Sequence, residues 1–238
     1  MSRTGVLFDL DGLLVETESK WSIVERSFYT DRGLEFTATH KKNLIGKTLK
    51  AVVSTIGEDV GRTDYDILHR QFVARLLAEF DGVELLPGAA ETLRWANSLH
   101  LTAVVTNSPA AIIGPSLSAL RRDGVMPELV ITADDVVEGK PQPDSYNLAL
   151  SRLGLSPDRA IALEDSVTGI AAARAAGLRV LGVSHDRAIE ARADWYSEVL
   201  SPELVRKCIE AAALSGTGLR SPSGPDEVGP GESTQSRR

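Results

Sequence analysis

Two aspartates close a short apolar run near the start of the chain, Gly5-Val6-Leu7-Phe8-Asp9-Leu10-Asp11-Gly12. The run predicts a buried strand, and residues two apart in extended backbone point to the same side, so both carboxylates can serve one site. Two unit charges about 4 Å apart repel by roughly 4 kcal/mol at an effective dielectric constant near 20. The pair therefore indicates a cation, a proton or a reaction at the end of the strand, although Asp-x-Asp-Gly also opens ordinary turns and calcium loops.

Two further polar segments follow apolar runs later in the chain. Thr106-Asn107-Ser108 comes after Ala103-Val104-Val105, where a hydroxyl and free backbone amides can hold a phosphate group or can simply end the strand. Lys140 lies between a glycine and a proline, which restrict its backbone. A lysine fixed in this way can neutralise a phosphate and a carboxylate, and the alternative is a solvated loop lysine.

A second acid pair, Glu164-Asp165, ends another apolar run. Adjacent residues on a strand face opposite ways, so we expect one acid to ligate a shared cation and the other to orient waters or assist from outside the ligand set. The alternative for Asp165 is an N-cap on the helix predicted from Ser166 onward. That alternative accounts for one acid of the pair but not for both.

The elements that position these residues alternate between apolar runs and helical patterns. The alternation predicts an α/β fold with a mostly parallel sheet and helices on both faces, which brings the polar strand ends to one edge of the sheet. The predicted strands are residues 5–10, 101–106, 129–132, 160–164 and 180–183. The predicted helices beside them are residues 89–98, 112–122, 144–153 and 169–176.

Residues 18–80 break the alternation, because they contain helical patterns and no convincing strand. The patterns cover residues 20–33, 47–56 and 65–80. We interpret residues 16–82 as a helical cap inserted into a core of residues 1–15 and 83–214, with hinges at 15–16 and 81–86; packing on one face of the sheet is the alternative. Residues 215–238 are rich in Gly, Pro and Ser and predict a disordered tail.

Composition excludes several classes of protein. The 238 residues carry a net charge of −7 and are 42% hydrophobic, which is typical of a globular protein and argues against nonspecific binding to nucleic acid or anionic membranes. Cys208 is the single cysteine, so we expect a reducing compartment and interpret it as a small apolar residue on a late helix. With no signal-peptide or membrane-spanning pattern, we expect a cytoplasmic protein, and we expect a monomer.

The four polar segments together resemble a known family. Phe8-Asp9-Leu10-Asp11-Gly12-Leu13-Leu14-Val15, Thr106-Asn107-Ser108, Gly139-Lys140-Pro141 and Leu163-Glu164-Asp165-Ser166 resemble the four signature motifs of the haloacid dehalogenase superfamily. Their order and spacing are similar to those of the helical-cap branch, which includes β-phosphoglucomutase and many sugar-phosphate phosphatases. The resemblance covers roughly residues 5–200. It implies a Rossmann-like, mostly parallel sheet flanked by helices, with an inserted α-helical cap.

The resemblance implies a role for each motif residue. Asp9 is the implied nucleophile, which forms an aspartyl-phosphate intermediate. Asp11 is the implied general acid for the leaving oxygen and then the base that activates water. Thr106 and the Asn107 amide are implied to hold the phosphoryl group, and Lys140 to balance its charge.

Magnesium is the cofactor that the resemblance implies. Oxygen ligands and a site that retains waters suit this ion, which also shields the nucleophile from the anionic substrate. The implied ligands are the Asp9 carboxylate, the Asp11 backbone carbonyl and Asp165, with Glu164 in support.

Two residues, Asp11 and Trp21, indicate which reaction to expect within this superfamily. True haloacid dehalogenases lack the second aspartate of the first motif, so Asp11 favours phosphoryl chemistry. Trp21 stands where β-phosphoglucomutases carry a His tied to transfer onto a second sugar hydroxyl, so we expect water as the acceptor, unless Trp21 simply packs the first cap helix. We therefore predict a magnesium-dependent phosphatase of a small phosphorylated metabolite, a sugar or polyol phosphate. A β-phosphoglucomutase-type phosphomutase is the alternative, and a non-catalytic binding module is the remaining rival.

Substrate choice is expected to depend on the cap. Residues 16–21, Glu16-Thr17-Glu18-Ser19-Lys20-Trp21, are similar to a stretch of sugar-phosphate and hexitol-phosphate phosphatases, but Glu16 replaces the usual Asp and Ser19-Lys20 the usual Pro-Leu. Asn43–Thr48 resembles the glycine-centred cap loop that reaches into the site. We predict Glu18 and Lys47 as the cap residues at the substrate, with an exposed helix-start lysine as the alternative for Lys47.

Overall fold

A computed structural model describes residues 3–216 of the chain. Its six strands form one parallel sheet in the order β3-β2-β1-β4-β5-β6. The strands are β1 Gly5–Phe8, β2 Leu101–Val105, β3 Leu129–Ile131, β4 Ala160–Glu164, β5 Arg179–Val183 and β6 Trp195–Ser197. The predicted α/β fold is confirmed, and all five predicted strands are present, with ends that differ by at most two residues.

Nine α-helices lie within the described residues. Five of them come between β1 and β2, three alternate with the later strands as far as β5, and one follows β6. They are α1 Glu18–Thr30, α2 Ala38–Leu44, α3 Leu49–Asp59, α4 Tyr65–Glu79, α5 Ala89–Leu99, α6 Ala110–Arg122, α7 Asp144–Leu153, α8 Val167–Ala175 and α9 Pro202–Gly216. None of them is both long enough and apolar enough to cross a lipid bilayer.

The sheet is buried on both faces, as its continuous apolar strands require. Val6 and Phe8 of β1 belong to one core cluster, together with side chains of α5, α6 and α9. Leu7 points to the opposite face and joins a second cluster with side chains of α7 and α8. This two-residue alternation fixes the direction of every side chain at the end of β1, so Asp9 leaves the strand at a defined orientation between β2 and β4.

The first four helices, α1 to α4, have an apolar core of their own, built mainly from α1, α3 and α4 around Phe28, Val53 and Phe72. The segments that enter and leave this helical insert are paired: Val15 and Leu85 form an antiparallel bridge. The Glu16 amide donates to the Glu84 carbonyl at 3.1 Å. The two ends predicted to act as hinges therefore lie side by side.

Two elements were not predicted. The helix α2 has only seven residues, too few to show helical periodicity, and it begins at a capping box between Thr37 and His40. The strand β6 has three half-buried residues and carries no apolar run. Ser215 and Gly216, which we assigned to the tail, belong to α9, and the remainder of the predicted disordered tail lies outside the described residues.

Candidate active site

Asp9 is the first residue after β1 and is almost fully buried, with 6% of its surface exposed. Its backbone amide donates to the Leu163 carbonyl at 3.0 Å, which ties it to the neighbouring strand β4. Gly12 follows in the left-handed region at φ 87°. A Cβ at this position would lie 2.1 Å from Asp165 Oδ2, so only glycine lets the turn after β1 approach that carboxylate.

The Asp11 carboxylate is held by three hydroxyl groups. Thr17 donates to Oδ1 at 2.8 Å, while Thr106 and Ser108 donate to Oδ2 at 3.0 and 2.8 Å. The Thr106 hydroxyl also accepts from the Ser108 amide at 3.0 Å. The structure thus places Thr106, predicted at the phosphate, beside Asp11, and its hydroxyl positions that carboxylate.

Lys140 is buried, with 5% of its surface exposed, so the alternative of a solvated loop lysine is wrong. Its Nζ donates to Asp9 Oδ1 at 2.5 Å, to Glu164 Oε1 at 2.6 Å and to the Val105 carbonyl at 2.7 Å. Burial opposes the charge, but the two carboxylates outweigh it and raise the pKa of Lys140 above its ordinary value. The ammonium group therefore stays charged and joins three strand ends.

The Asn107 side chain fixes the loop that carries Lys140. Its Oδ1 accepts from the Lys140 amide at 2.8 Å, and its Nδ2 donates to the Lys140 carbonyl at 3.0 Å. The loop is close to Asn107 at Gly139 as well, where a Cβ would lie 2.6 Å from Asn107 Oδ1. The motif after β2 therefore holds the lysine motif through side-chain contacts.

Glu164 and Asp165 have different surroundings, as their positions on adjacent residues predict. Glu164 is fully buried, and its Oε1 accepts from Lys140 and, at 2.5 Å, from the Tyr146 hydroxyl. Asp165 faces the cavity. It is not the N-cap of α8: Ser166 is, and its Oγ accepts from the Gly169 amide at 3.0 Å. The capping alternative for Asp165 is wrong.

Carboxylate oxygens of Asp9, Glu164 and Asp165 lie within 4.8 Å of one another. Burial, followed by the Glu164 charge, raises the pKa of Asp165 to about 8. Burial likewise raises the pKa of Asp9 well above its ordinary value, while Lys140 opposes the rise. A divalent cation relieves the repulsion between such carboxylates, and oxygen donors are the ligands that magnesium prefers, so these residues fit the ion.

A cavity of about 310 Å³ opens above this cluster. Its floor includes Asp9, Asp11 and Lys140, and the helical insert supplies much of its wall. The insert packs closely against α8 at Gly46, where a Cβ would lie 2.5 Å from Thr168 Oγ1. The strand ends and the insert thus enclose one shared space.

Both predicted cap residues line this cavity and are exposed. Lys47 precedes α3 and donates to Thr55 Oγ1 at 3.1 Å; α3 begins at Leu49, with Thr48 as its N-cap. Glu18 begins α1. Trp21 is half-buried, lines the cavity and packs against Phe72 and Phe80, as the packing interpretation expects; the choice of water as the acceptor stays a prediction.

Three site residues were not assigned from the sequence. Thr17 lies in the segment Glu16–Trp21 and Ser108 in the segment Thr106–Ser108. A hydroxyl residue within a motif that also faces an acid was the available signal for both. Tyr146 occupies a buried position in α7 six residues after Lys140, and a tyrosine on an apolar helix face gives no sign that its hydroxyl reaches Glu164.

The turn at Gly12 yields a prediction about metal binding. We expect Gly12→Ala to weaken Mg²⁺ binding by at least about tenfold, because its Cβ displaces the Asp165 carboxylate. Isothermal titration calorimetry of the purified protein with Mg²⁺ measures the affinity directly.

Gly33→Ala is the matched control. Gly33 has φ 68°, and a Cβ added there would meet no atom within 4 Å, so both variants lose about 1–2 kcal/mol of stability from backbone strain. Only Gly12→Ala is expected to lose Mg²⁺ affinity. Equal affinities in the two variants would contradict the role of Gly12 at the metal site.

Comparison with known proteins agrees with this geometry. A model of the haloacid dehalogenase-like hydrolase family matches residues 6–183. The chain is 30% identical to hexitol phosphatase A of Escherichia coli, over 77% of this chain and 84% of that protein. It is also 30% identical to the bifunctional riboflavin kinase/FMN phosphatase of Arabidopsis thaliana, over 75% of this chain but only 48% of that longer protein.

A solved structure shows the same likeness. The fold superposes on CbbY from Rhodobacter sphaeroides in complex with phosphate, with a TM-score of 0.71, 27% identity and coverage of 83% of this chain and 95% of that one. The chain belongs to the haloacid dehalogenase-like hydrolase family. Its relatives named for an activity include several phosphatases, and the predicted enzyme class, a phosphatase of this superfamily, is confirmed.

Proposed function

We propose that this protein is a magnesium-dependent phosphatase that hydrolyses a small phosphorylated metabolite, a sugar or polyol phosphate. The observation that carries the proposal is the buried Lys140, which joins Asp9 to Glu164 beside a cluster of metal-competent carboxylates. This arrangement pairs a nucleophile with positive charge at the floor of the cavity. The relatives named for hexitol and fructose 1-phosphate support the substrate class.

Asp9 and Asp11 carry the two chemical steps. A carboxylate oxygen of Asp9 attacks phosphorus, and the ester oxygen leaves as an alcohol with a proton from Asp11, which gives an aspartyl-phosphate. Asp11 then takes a proton from a water molecule that attacks the aspartyl-phosphate, so inorganic phosphate forms and the Asp9 carboxylate is restored. Three hydroxyl donors keep Asp11 oriented toward this site.

The remaining motif residues bind and neutralise the phosphoryl group. Lys140 balances its negative charge, and the Asn107 backbone amide holds its oxygens. The Thr106 hydroxyl joins them when its single proton turns from Asp11 Oδ2 to a phosphate oxygen. When bound, Mg²⁺ offsets the charge between the carboxylates and the phosphate. The Asp9 and Asp165 carboxylates and the Asp11 backbone carbonyl would hold the ion. Glu164 acts from outside that set, since one of its oxygens already serves Lys140 and Tyr146.

We also propose that residues 16–82 act as a cap that selects the ester, with Glu18 and Lys47 on the substrate side. A separate apolar core and paired connecting segments support this division from the core of residues 1–15 and 83–214. Trp21, at the position where mutases carry a His, supports water over a second sugar as acceptor. Cytoplasmic location and a monomeric state remain predictions.

A panel of phosphate esters tests the proposal. We expect the purified protein to hydrolyse p-nitrophenyl phosphate and one or more sugar or polyol phosphates with Mg²⁺, and to lose this activity with EDTA. Release of inorganic phosphate is the readout. Conversion of β-glucose 1-phosphate to glucose 6-phosphate without phosphate release would favour the mutase, and no activity toward any ester with Mg²⁺ would favour a binding module.

A further inference from the structure

The cavity wall formed by α1 and α2 contains an ion pair between a buried carboxylate and a half-buried lysine, and the proposed chemistry does not use it. Glu25 of α1 is 2% exposed, and Lys41 of α2 donates to its Oε2 at 3.0 Å. Both residues line the same cavity as Asp9 and Asp11. Burial raises the pKa of Glu25, and Lys41 opposes the rise.

Stability alone does not account for this pair. The surrounding core of the helical insert is aromatic and aliphatic, and burying the Glu25 carboxylate costs free energy that its attraction to the half-buried Lys41 repays only in part. Apolar residues of similar volume at such positions are often as stabilising or more so. A charged pair on the wall of a cavity therefore indicates a ligand.

The pair has unused hydrogen-bonding capacity. An ammonium group has three donors, and a carboxylate has two acceptor oxygens. Within residues 3–216, Lys41 Nζ is bonded to Glu25 alone, and Glu25 Oε1 has no partner. Trp21, one helical turn before Glu25, adds a half-buried aromatic surface to the same wall. Adjacent donors, an acceptor and an aromatic face match the hydroxyl groups and C–H surface of a carbohydrate chain.

The charge of the cavity disfavours a second anion on the ligand. Among the described residues, six carboxylates and three lysines line it. Lys140 is committed to Asp9 and Glu164, and Lys41 to Glu25. Lys47, bonded to Thr55 Oγ1, is exposed, so solvent screens its attraction for an anion. A distal carboxylate or phosphate at the wall formed by α1 and α2 would have to displace Glu25 from Lys41 and would meet the negative charge of Glu25 at close range. The six lining carboxylates belong to Asp9, Asp11, Glu18, Glu25, Asp165 and Asp186, and the three lining lysines are Lys41, Lys47 and Lys140.

We propose that Glu25 and Lys41 bind hydroxyl groups of the leaving alcohol and select neutral, polyhydroxylated phosphate monoesters over esters that carry a second anionic group. This inference rests on the proposed phosphatase function and narrows its substrate class. Glu25 accepts hydrogen bonds from the hydroxyl groups and repels a second anionic group, and Lys41 donates hydrogen bonds to the hydroxyl groups.

Two esters of the same length test the selection. Sorbitol 6-phosphate ends in a neutral hydroxymethyl group, whereas 6-phosphogluconate ends in a carboxylate. We expect the wild-type protein to have the higher kcat/KM for sorbitol 6-phosphate. Glu25→Gln removes the charge and frees Lys41, so the ratio of the two kcat/KM values is expected to fall by about tenfold or more.

Lys42→Gln and Glu58→Gln are the matched controls. Both residues are exposed on the helical insert and do not line the cavity, so both variants are expected to keep the wild-type ratio. The double variant Glu25→Gln/Lys41→Gln retains polar side chains without a lone buried charge, and its ratio is expected to fall as well. Circular dichroism and thermal melting identify folded variants.

Hydrolysis of p-nitrophenyl phosphate, which has no hydroxyl groups to recognise, reports separately on the catalytic floor. An unchanged ratio in folded Glu25→Gln or in the double variant overturns the inference. So does a wild-type preference for 6-phosphogluconate. Absence of hydrolysis of p-nitrophenyl phosphate and of both sugar-derived esters by the wild-type protein overturns the proposed function itself.

Discussion

Asp9→Asn is expected to lower turnover of every phosphate ester by about 10⁴-fold or more. The amide keeps the size of the side chain but has no anionic oxygen to attack phosphorus, so the aspartyl-phosphate cannot form. Lys140 retains its bonds to Glu164 and to the Val105 carbonyl, and the fold is therefore maintained. Steady-state assays with p-nitrophenyl phosphate and rapid-quench mass spectrometry measure the two consequences, lost turnover and lost covalent intermediate.

Asp158→Asn serves as the control for this substitution. Asp158 is exposed in a short 3₁₀ turn before β4 and does not line the cavity. It is expected to leave turnover unchanged. An Asp9→Asn protein within about a hundredfold of wild-type turnover, when shown by mass spectrometry not to have reverted by deamidation, would rule out Asp9 as the nucleophile.

Lys140→Met is expected to destabilise the protein by about 3–5 kcal/mol, because it leaves the Asp9 and Glu164 carboxylates buried without their shared cation. For a domain of this size the loss corresponds to a fall in Tm of roughly 6–20 °C. Differential scanning calorimetry without added metal measures it. Phosphatase activity is expected to fall in the same variant, since Lys140 also balances the phosphate charge.

Lys207→Met is the control for this substitution, because it removes a lysine charge whose partner carboxylate is exposed rather than buried. Lys207 forms an exposed pair with Glu203 at 2.8 Å on α9, where solvent screens the attraction. We expect no measurable change in its Tm. If Lys140→Met melted at the temperature of the Lys207→Met protein, the joint bonding of Lys140 to two buried carboxylates would not be a main source of stability.

The sequence predicted the sheet well for a physical reason. Strands such as β1 and β4 are buried on both faces and are therefore continuous apolar runs, which periodicity detects. The short elements α2 and β6 depend on local caps and on neighbouring strands, and neither leaves a periodic pattern. The four motifs predicted which polar residues meet, because parallel strands end at one edge of the sheet.

The detailed bonding within the site was less predictable. Thr106 was expected at the phosphate, and its hydroxyl instead contacts Asp11. Asn107 was expected to act through its amide, and its side chain also fixes the Lys140 loop. Such contacts depend on rotamers and on distances between separate strands, which residue order does not specify. The Glu25–Lys41 pair was missed for the same reason, since it joins α1 to a helix that was not predicted.

The paired segments at Val15 and Leu85 have a consequence for how this architecture can diversify. The polypeptide leaves the sheet domain and returns to it through hydrogen-bonded neighbours, about 4.8 Å apart. Any helical module whose two ends meet at that spacing can be grafted there without changing the register of β1 or β2. On the proposed role of the cap, substrate recognition can therefore be exchanged with this one insert, while the carboxylates and lysine at the strand ends stay unchanged.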